Sequence, residues 1–161
     1  MTNRHVHHFF NQFPGPFESY PSSDGVDQTV EVRCCTTNAF IIAAQFWEER
    51  TTSELIAQSV TFALNMLSGA DTRSWKAYQL PEYLQWFQAR FPGPYATGFT
   101  DFEPLPSFDI KCLATQSNFI HVDQSDSDRA DRMIVETIAA ALNGLRQPRL
   151  LDRPRRMLAA I

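Results

Sequence analysis

The chain has little cysteine and no long apolar run, and both scarcities exclude whole classes of protein. Its three cysteines, Cys34, Cys35 and Cys112, are odd in number and lack CxxC spacing, so neither a secreted disulfide framework nor a zinc site is predicted. No apolar stretch reaches the roughly 20 residues of a membrane helix, and the N-terminus lacks the apolar core of a signal peptide. We therefore expect a cytoplasmic protein with free thiols and no membrane span.

The familiar catalytic signatures are also missing. No P-loop, dinucleotide-binding glycine motif, GxSxG, HExxH or zinc-ligand spacing occurs in the chain. His5, His7 and His8 form a cluster near the N-terminus, but no carboxylate or cysteine stands at recognisable ligand spacing from them. The sequence accordingly predicts no cofactor and no metal.

The composition is typical of one small folded domain. Of the 161 residues, 43% are hydrophobic and 20% are charged, which suits a globular protein able to bury its own core. The formal charge of −4 is uneven, because the tail 146–161 holds five arginines and one aspartate while the rest holds 9 basic and 17 acidic residues. An acidic body disfavours broad nucleic-acid binding, although the basic tail could contact an anionic surface.

One phrase occurs twice and marks a longer internal similarity. FPGPF (13–17) returns as FPGPY (91–95), an offset of 78 residues from Phe13 to Phe91. The other matching segments are VEVRCCTT with FDIKCLAT (30–37, 108–115), NAFII with SNFIH (38–42, 117–121) after one inserted residue, and ALNML with ALNGL (63–67, 141–145). We interpret the chain, 1–161, as a single domain of two tandem repeats at about 6–67 and 84–145, with a linker at 68–83 and the basic tail 146–161.

Each repeat has the pattern of a β-hairpin followed by a helix. The segments around VEVR and FDIK alternate with a period of two, as half-buried strands do, and each precedes a polar turn, a second strand and an amphipathic helix. A helical segment leads into each FPGP, whose prolines and glycine end it and turn the chain toward the sheet. Because one hairpin and helix cannot bury a core alone, the sequence predicts an α+β, pseudo-two-fold ββα-ββα two-layer sandwich. Its four-stranded antiparallel sheet has the strand order 2-1-3-4, with the helices packed on one face.

Charge pairing indicates how the two halves would join. With Val32 opposite Ile110, the flanking cross-strand pairs unite opposite charges, namely Glu31 with Lys111 and Arg33 with Asp109. Strand alternation then leaves a second sheet face that is too apolar for bare solvent, and such a patch marks a partner, a ligand or a dimer interface. The predicted partner-binding residues on this face are Arg33, Phe40, Ile42, Phe46, Lys111, Leu113 and Phe119.

Three side chains are weaker candidates for chemistry. His121 and Asp123 are two residues apart on one predicted strand, so both point to the open face, where a carboxylate could orient a histidine as an acid or base. Cys35 faces the same way and could serve as a reactive thiol. Cys34 and Cys112, at equivalent positions facing inward, have the pattern of buried small hydrophobes.

The function hypothesis that results is a non-enzymatic binding or assembly protein that dimerises or holds a protein partner on its open sheet face. One alternative is an enzyme or ligand-binding domain with its site at His121, Asp123 and Cys35. Another is a single-stranded nucleic-acid binder that stacks bases on Phe40 and Phe119. At the level of fold alone, the small acidic α/β form resembles bacterial secretion chaperones, an analogy that supplies no site.

Overall fold

The computed structural model of the chain describes residues 3–21, 29–45, 50–69, 81–101, 106–123 and 128–145. The helices and strands follow the same order in both halves of the chain: a short helix, three strands and a long helix. The elements of the first half are α1 (Asn3–Gln12), β1 (Phe17–Pro21), β2 (Thr29–Cys34), β3 (Ala39–Gln45) and α2 (Arg50–Ser68). Those of the second half are α3 (Glu82–Arg90), β4 (Tyr95–Thr100), β5 (Ser107–Cys112), β6 (Ser117–Asp123) and α4 (Asp128–Leu145).

The strands form two separate three-stranded antiparallel sheets, so the predicted single four-stranded sheet is wrong. β2 lies between β1 and β3, and β5 lies between β4 and β6. The difference arises in the segments that follow each FPGP, because they form β1 and β4. These strands fill the edges that β2 and β5 would need in order to pair with one another.

The predicted contact between the central strands of the two halves is wrong for the same reason. Val32 pairs with Ser19 on one side and Ile42 on the other, so it does not face Ile110. The two cross-strand ion pairs expected around it are therefore not formed. Arg33 instead binds Glu31 of its own strand, with Nη2 and Oε2 2.9 Å apart.

A register shift in each hairpin changes which side chains are buried. The pairing of β2 with β3 shifts next to Arg33, leaving one extra residue on β3. The period of two is broken there, and Ile41 and Ile42 are both buried. The equivalent shift between β5 and β6 buries both Phe119 and Ile120. Ile42 and Phe119 therefore belong to the core, and their predicted place on an open apolar face is wrong.

The two hairpins correspond residue by residue without an insertion. Each turn contains one non-glycine residue with positive φ, Asn38 at 56° and Gln116 at 58°, and these two residues keep the offset of 78. The predicted one-residue insertion is therefore wrong. The counterpart of His121 is Ala43, and not Ile42 as the insertion would require.

The two FPGP segments end the leading helices, as predicted from the sequence. α1 and α3 each stop just before the motif, and β1 and β4 each begin directly after it. The Gly15–Pro16 and Gly93–Pro94 bonds are both cis, and both glycines have a φ near 80° that other residues rarely adopt. Aromatic rings hold these corners in the core: Phe9 stacks on Phe17 with 5.9 Å between ring centroids, and both rings are buried.

The helices join the two halves around one core. α2 and α4 contact each other, and each covers the sheet of its own half. The leading helices cross over, since α1 contacts α4 and α3 contacts α2. β3 and β6 lie beside one another without pairing as strands. None of the described helices combines the length and apolar character that crossing a bilayer requires.

An asparagine of each long helix holds the first residue of an outer strand. The Oδ1 atom of Asn65 accepts the N–H of Phe17 at 2.8 Å, and its Nδ2 donates to the Phe17 carbonyl at 3.0 Å. Asn143 makes the same two bonds with Tyr95, at 2.9 and 2.8 Å. We call this arrangement the asparagine clasp, and it gives the repeated ALN sequence a structural role.

Four sequence predictions fall outside the described residues. They concern the central part of the predicted linker (70–80), the basic tail 146–161, Phe46 and the side chain of Asp123.

Candidate functional site

His121 is paired with a carboxylate, but the partner differs from the predicted one. Its Nδ1 atom lies 2.7 Å from Oδ1 of Asp109, which is its cross-strand neighbour on β5. Directly opposed residues of an antiparallel pair bring their Cβ atoms to about 5 Å, whereas residues two apart on one strand are roughly 6.8 Å apart. His121 therefore pairs across the hairpin, and the side chain of Asp123 lies outside the described part of the structure.

Asp109 is a buried acceptor held by several donors. Its side chain is 4% exposed, and the hydroxyl of Ser107 donates to Oδ1 at 2.7 Å. The Thr100 hydroxyl donates to Oδ2. An ionised carboxylate can only accept, so Nδ1 of His121 carries the proton in this pair. In the neutral imidazole, the other ring nitrogen, Nε2, is then an acceptor, and it belongs to a side chain that is 51% exposed.

This arrangement is confined to the second half among the described residues. At the position of Asp109 the first half has Glu31, which binds Arg33, and at the position of His121 it has Ala43. Asp109 is absent from the predicted site, because its carboxylate is expected to face Arg33 across a sheet that does not form. The turn Leu113–Gln116 between β5 and β6 would by itself bring Asp109 opposite Ile120, and the register shift next to Lys111 brings it opposite His121 instead.

Cys35, the third predicted site residue, belongs to a different environment. It is exposed, and its neighbours are Glu18 and Tyr20 on β1. Partial burial and the charge of Glu18 raise the pKa of the Cys35 thiol, which lowers its thiolate fraction at neutral pH. No contact in the described part of the chain joins it to His121. The structure therefore does not assemble His121 and Cys35 into one site.

Cys34 and Cys112 are free, buried thiols, in agreement with the hydrophobic role predicted for them. The N–H of Gly93 donates to Sγ of Cys112 at 3.3 Å. Burial by itself would raise the pKa of the Cys34 thiol, but hydrogen bonds from Thr37 and from backbone N–H groups lower it. Cys112 has the matching surroundings, with Thr115 in place of Thr37. Each thiol thus links a hairpin turn to an FPGP corner.

The predicted partner-binding face is smaller than the sequence suggests. Phe40 and Leu113 are 50% and 42% exposed, and they are what remains of the apolar patch in the described residues. Arg33 is engaged with Glu31, and Lys111 is partly exposed. Phe119 is buried and cannot stack on a nucleic-acid base. The pair of exposed phenylalanines predicted to bind single-stranded nucleic acid is therefore not present.

The outer edge of β4 offers backbone groups that are not among the predicted site features. The carbonyl of Pro94 accepts the N–H of Leu113, so Pro94 and every second residue after it turn their backbone groups toward β5. Tyr95, Thr97 and Phe99 consequently turn theirs outward. Asn143 occupies the groups of Tyr95, whereas those of Thr97 and Phe99 have no partner among the described residues.

The equivalent edge of β1 is less open. Its outward-facing residues are Phe17, Ser19 and Pro21, by the same alternation. Asn65 occupies Phe17, and Pro21 has no N–H to donate. Ser19 alone presents both backbone groups. A proline at the end of an edge strand is a common means of blocking further strand pairing, and β4 has none.

A shallow groove runs beside the β4 edge on the side of α4. It encloses about 200 Å³ and is lined by Thr97, Gly98, Phe99, Phe108, Arg132, Val135 and Glu136. Phe99 is 49% exposed and packs on Phe108 with ring centroids 5.1 Å apart. The guanidinium of Arg132 lies 5.7 Å from the centre of the Phe108 ring. The groove therefore joins an exposed aromatic ring to one basic and one acidic side chain.

Metal ligation finds no support in the part of the chain that is described. No group of three or more histidine, cysteine, aspartate or glutamate side chains in these ranges could hold an ion. His5 of the N-terminal cluster lies 3.3 Å from Glu136 of α4, so it contributes to the contact between α1 and α4.

Comparison with known proteins gives no relative, since no family model, curated protein or solved structure matches the chain.

Proposed function

We propose that this is a binding or assembly protein that holds an extended polypeptide segment along the outer edge of β4. The observation that carries the proposal is the pair of outward-facing residues Thr97 and Phe99, whose backbone groups have no partner in the described part of the chain. An added strand would satisfy both residues, giving up to four main-chain hydrogen bonds. This edge replaces the apolar sheet face as the docking surface.

Affinity and selectivity would come from different parts of this surface. Main-chain hydrogen bonds favour any extended strand, while side-chain pockets decide which strand is preferred. Thr97 and Phe99 share the side of the sheet that faces α4, and the groove beside them offers Phe108 for apolar contact. Arg132 and Glu136 border the same groove. We therefore expect the groove to prefer a segment that has one apolar residue, to pack on Phe108, with polar residues on either side.

Comparison of the two halves of the chain is the reason for placing this function in the second half. We infer that the two halves are an internal duplication, an interpretation supported by the matched asparagine clasps, turns and FPGP corners. What both halves keep then serves the fold, and what differs is free to serve function. The free edge and the Asp109–His121 pair both belong to the differences.

Selection from a displayed library of short random peptides tests the proposal. Peptides selected on the protein should lose affinity about tenfold or more for Thr97→Pro, which corresponds to roughly 1.4 kcal/mol, or about one net hydrogen bond. The N–H of Thr97 points away from β5, so proline there costs no hydrogen bond of the sheet. Ser19→Pro, the same change at the equivalent edge position of β1, is the matched control and should bind normally. Peptides that bind Thr97→Pro as well as the parent protein would refute the edge as docking surface.

The Asp109–His121 pair favours a second candidate function, a small-molecule site on the outer face of the second sheet. A carboxylate that fixes the imidazole tautomer leaves Nε2 ready to accept a proton. Hydrolysis of an activated ester such as p-nitrophenyl acetate is a direct measure of that basicity. The rate should fall in His121→Gln and, to a smaller extent, in Asp109→Asn. Equal rates in the parent protein and His121→Gln would dismiss this candidate.

Two further expectations from the sequence stay predictions. One is the cytoplasmic location. The other is a contact between the basic tail 146–161 and an anionic surface, and this tail lies outside the described residues.

A further inference from the structure

We infer that the strand received by the β4 edge is the β4 edge of a second copy of this chain, so that the protein forms a two-fold symmetric dimer. The inference rests on the proposed function and names its partner. Its starting point is that the free edge is complementary to itself. Two outward-facing residues separated by one position form a pattern that an antiparallel copy of the same strand can match.

The free residues fix the register of such a dimer. Asn143 already binds the outward-facing N–H and carbonyl of Tyr95, and β4 ends at Thr100. The residues of β4 that can pair with a second copy are therefore Thr97 and Phe99. Thr97 of one copy then faces Phe99 of the other, and the reverse pair forms across the axis. Both pairs are of the hydrogen-bonded type, which gives four bonds between the copies. The two-fold axis passes beside Gly98, whose counterpart in the second copy lies directly opposite.

Charge favours a second copy over a highly charged partner. β4 carries no charged residue along its length, so two copies can approach without placing like charges opposite one another. The adjoining groove contributes one cation and one anion, Arg132 and Glu136, and its net charge is therefore zero. At the corresponding edge of β1, the equivalent register would place Ser19 opposite Pro21, which has no N–H to donate.

The side chains at the proposed interface also fit a second copy. On the side facing α4, each Phe99 would lie next to Thr97 of the other copy, where its exposed ring surface becomes covered. On the opposite side, Gly98 has no side chain and Ala96 has a small one. Since only two residues per copy contribute hydrogen bonds, the interface is small, and we expect a weak and concentration-dependent dimer.

Cysteine cross-linking tests both the dimer and its register. In a Cys35→Ser background, Gly98→Cys places two thiols at a non-hydrogen-bonded pair with Cα atoms about 4.5 Å apart, within the range of a disulfide. A Cβ atom added at Gly98 meets nothing within 4 Å, so the variant should fold. Mild oxidation should convert it to a covalent dimer. Thr97→Cys is the control, because its two thiols are out of register, and it should cross-link much more slowly.

Sedimentation velocity over a range of concentrations provides an independent measurement. The parent protein and Ser19→Pro should shift toward dimer as concentration rises, whereas Thr97→Pro should remain monomeric. A parent protein that is monomeric throughout, a dimer that persists in Thr97→Pro, or equal cross-linking at positions 97 and 98 would each overturn the inference. If the protein is monomeric but its selected peptides depend on Thr97, the proposed function stands and only the self-association fails.

Discussion

Replacing Asn143 by alanine tests whether the asparagine clasp holds the edge strand in place. The side chain of Asn143 makes two hydrogen bonds to the backbone of Tyr95, at 2.9 and 2.8 Å, and Tyr95 is itself buried. Alanine removes both of these bonds to the N–H and the carbonyl of Tyr95. The helix is not disturbed by the change, because alanine is the most favourable helix residue.

The expected loss of stability follows from the two bonds. A typical intramolecular hydrogen bond contributes a net 0.5–1.5 kcal/mol, and leaving a buried group unsatisfied costs about 1–3 kcal/mol. Water can reach part of this site, so we place the cost of Asn143→Ala at about 2 kcal/mol. Asn65→Ala should cost a similar amount, because its bonds to Phe17 have the same geometry.

Urea unfolding at neutral pH measures this loss directly. The midpoint should fall while the denaturant slope stays the same, because the change alters stability and not the extent of the fold. Asn118→Ala is the matched control, since this asparagine is exposed and its side chain has no hydrogen bond in the described part of the chain. A loss below about 0.5 kcal/mol for Asn143→Ala, the range of ordinary surface changes, would refute the structural role of the clasp.

One reagent and three further variants test other parts of the structure. Iodoacetamide should modify Cys35 alone in the native protein, more slowly than an ordinary exposed thiol because its pKa is raised, and modification of the buried cysteines before unfolding would contradict the core described above. Gly15→Ala should destabilise the protein by more than about 1 kcal/mol, because the φ at Gly15 is +80° and the new Cβ would lie 2.9 Å from the ring of Phe17. Gly144 lies in α4 with open space around it, so Gly144→Ala should instead stabilise the protein by about 0.5–1 kcal/mol. If urea unfolding shows Gly15→Ala to be as stable as Gly144→Ala, the structural role given to Gly15 is wrong. Asp109→Ala should cost about 1–3 kcal/mol because several donors lose a buried acceptor, whereas an unchanged unfolding midpoint would remove the basis for the Asp109–His121 pair.

The sequence predicts the elements of this fold better than their arrangement. Period-two alternation in VEVR and FDIK identifies β2 and β5, and the FPGP motifs identify the ends of α1 and α3. The pairing of strands fails because β1 and β4 are short and of mixed polarity. They carry little pattern of their own, yet they occupy the edges on which the predicted four-stranded sheet depended.

The prediction of the site failed for a related physical reason. Ile42 and Phe119 are assigned to the open face by strict alternation, but the register shift in each hairpin turns two consecutive residues toward the core. A one-residue shift of this kind leaves no clear signal in a single sequence. The predicted partner of His121 is Asp123 on the same strand, whereas the carboxylate that it contacts is Asp109 on β5. This contact depends on a strand pairing that alternation alone does not predict.

Amide hydrogen exchange, followed residue by residue along β4 in dilute protein, tests the central claim most directly. The claim is that alternate backbone groups of this strand face outward and are free. The amides of Ala96 and Gly98 should exchange slowly because they face β5, and that of Tyr95 should be slowed by Asn143. Those of Thr97 and Phe99 should exchange fast. Protection of Thr97 and Phe99 equal to that of Gly98 would mean that the edge is already covered within the chain, and would contradict the account.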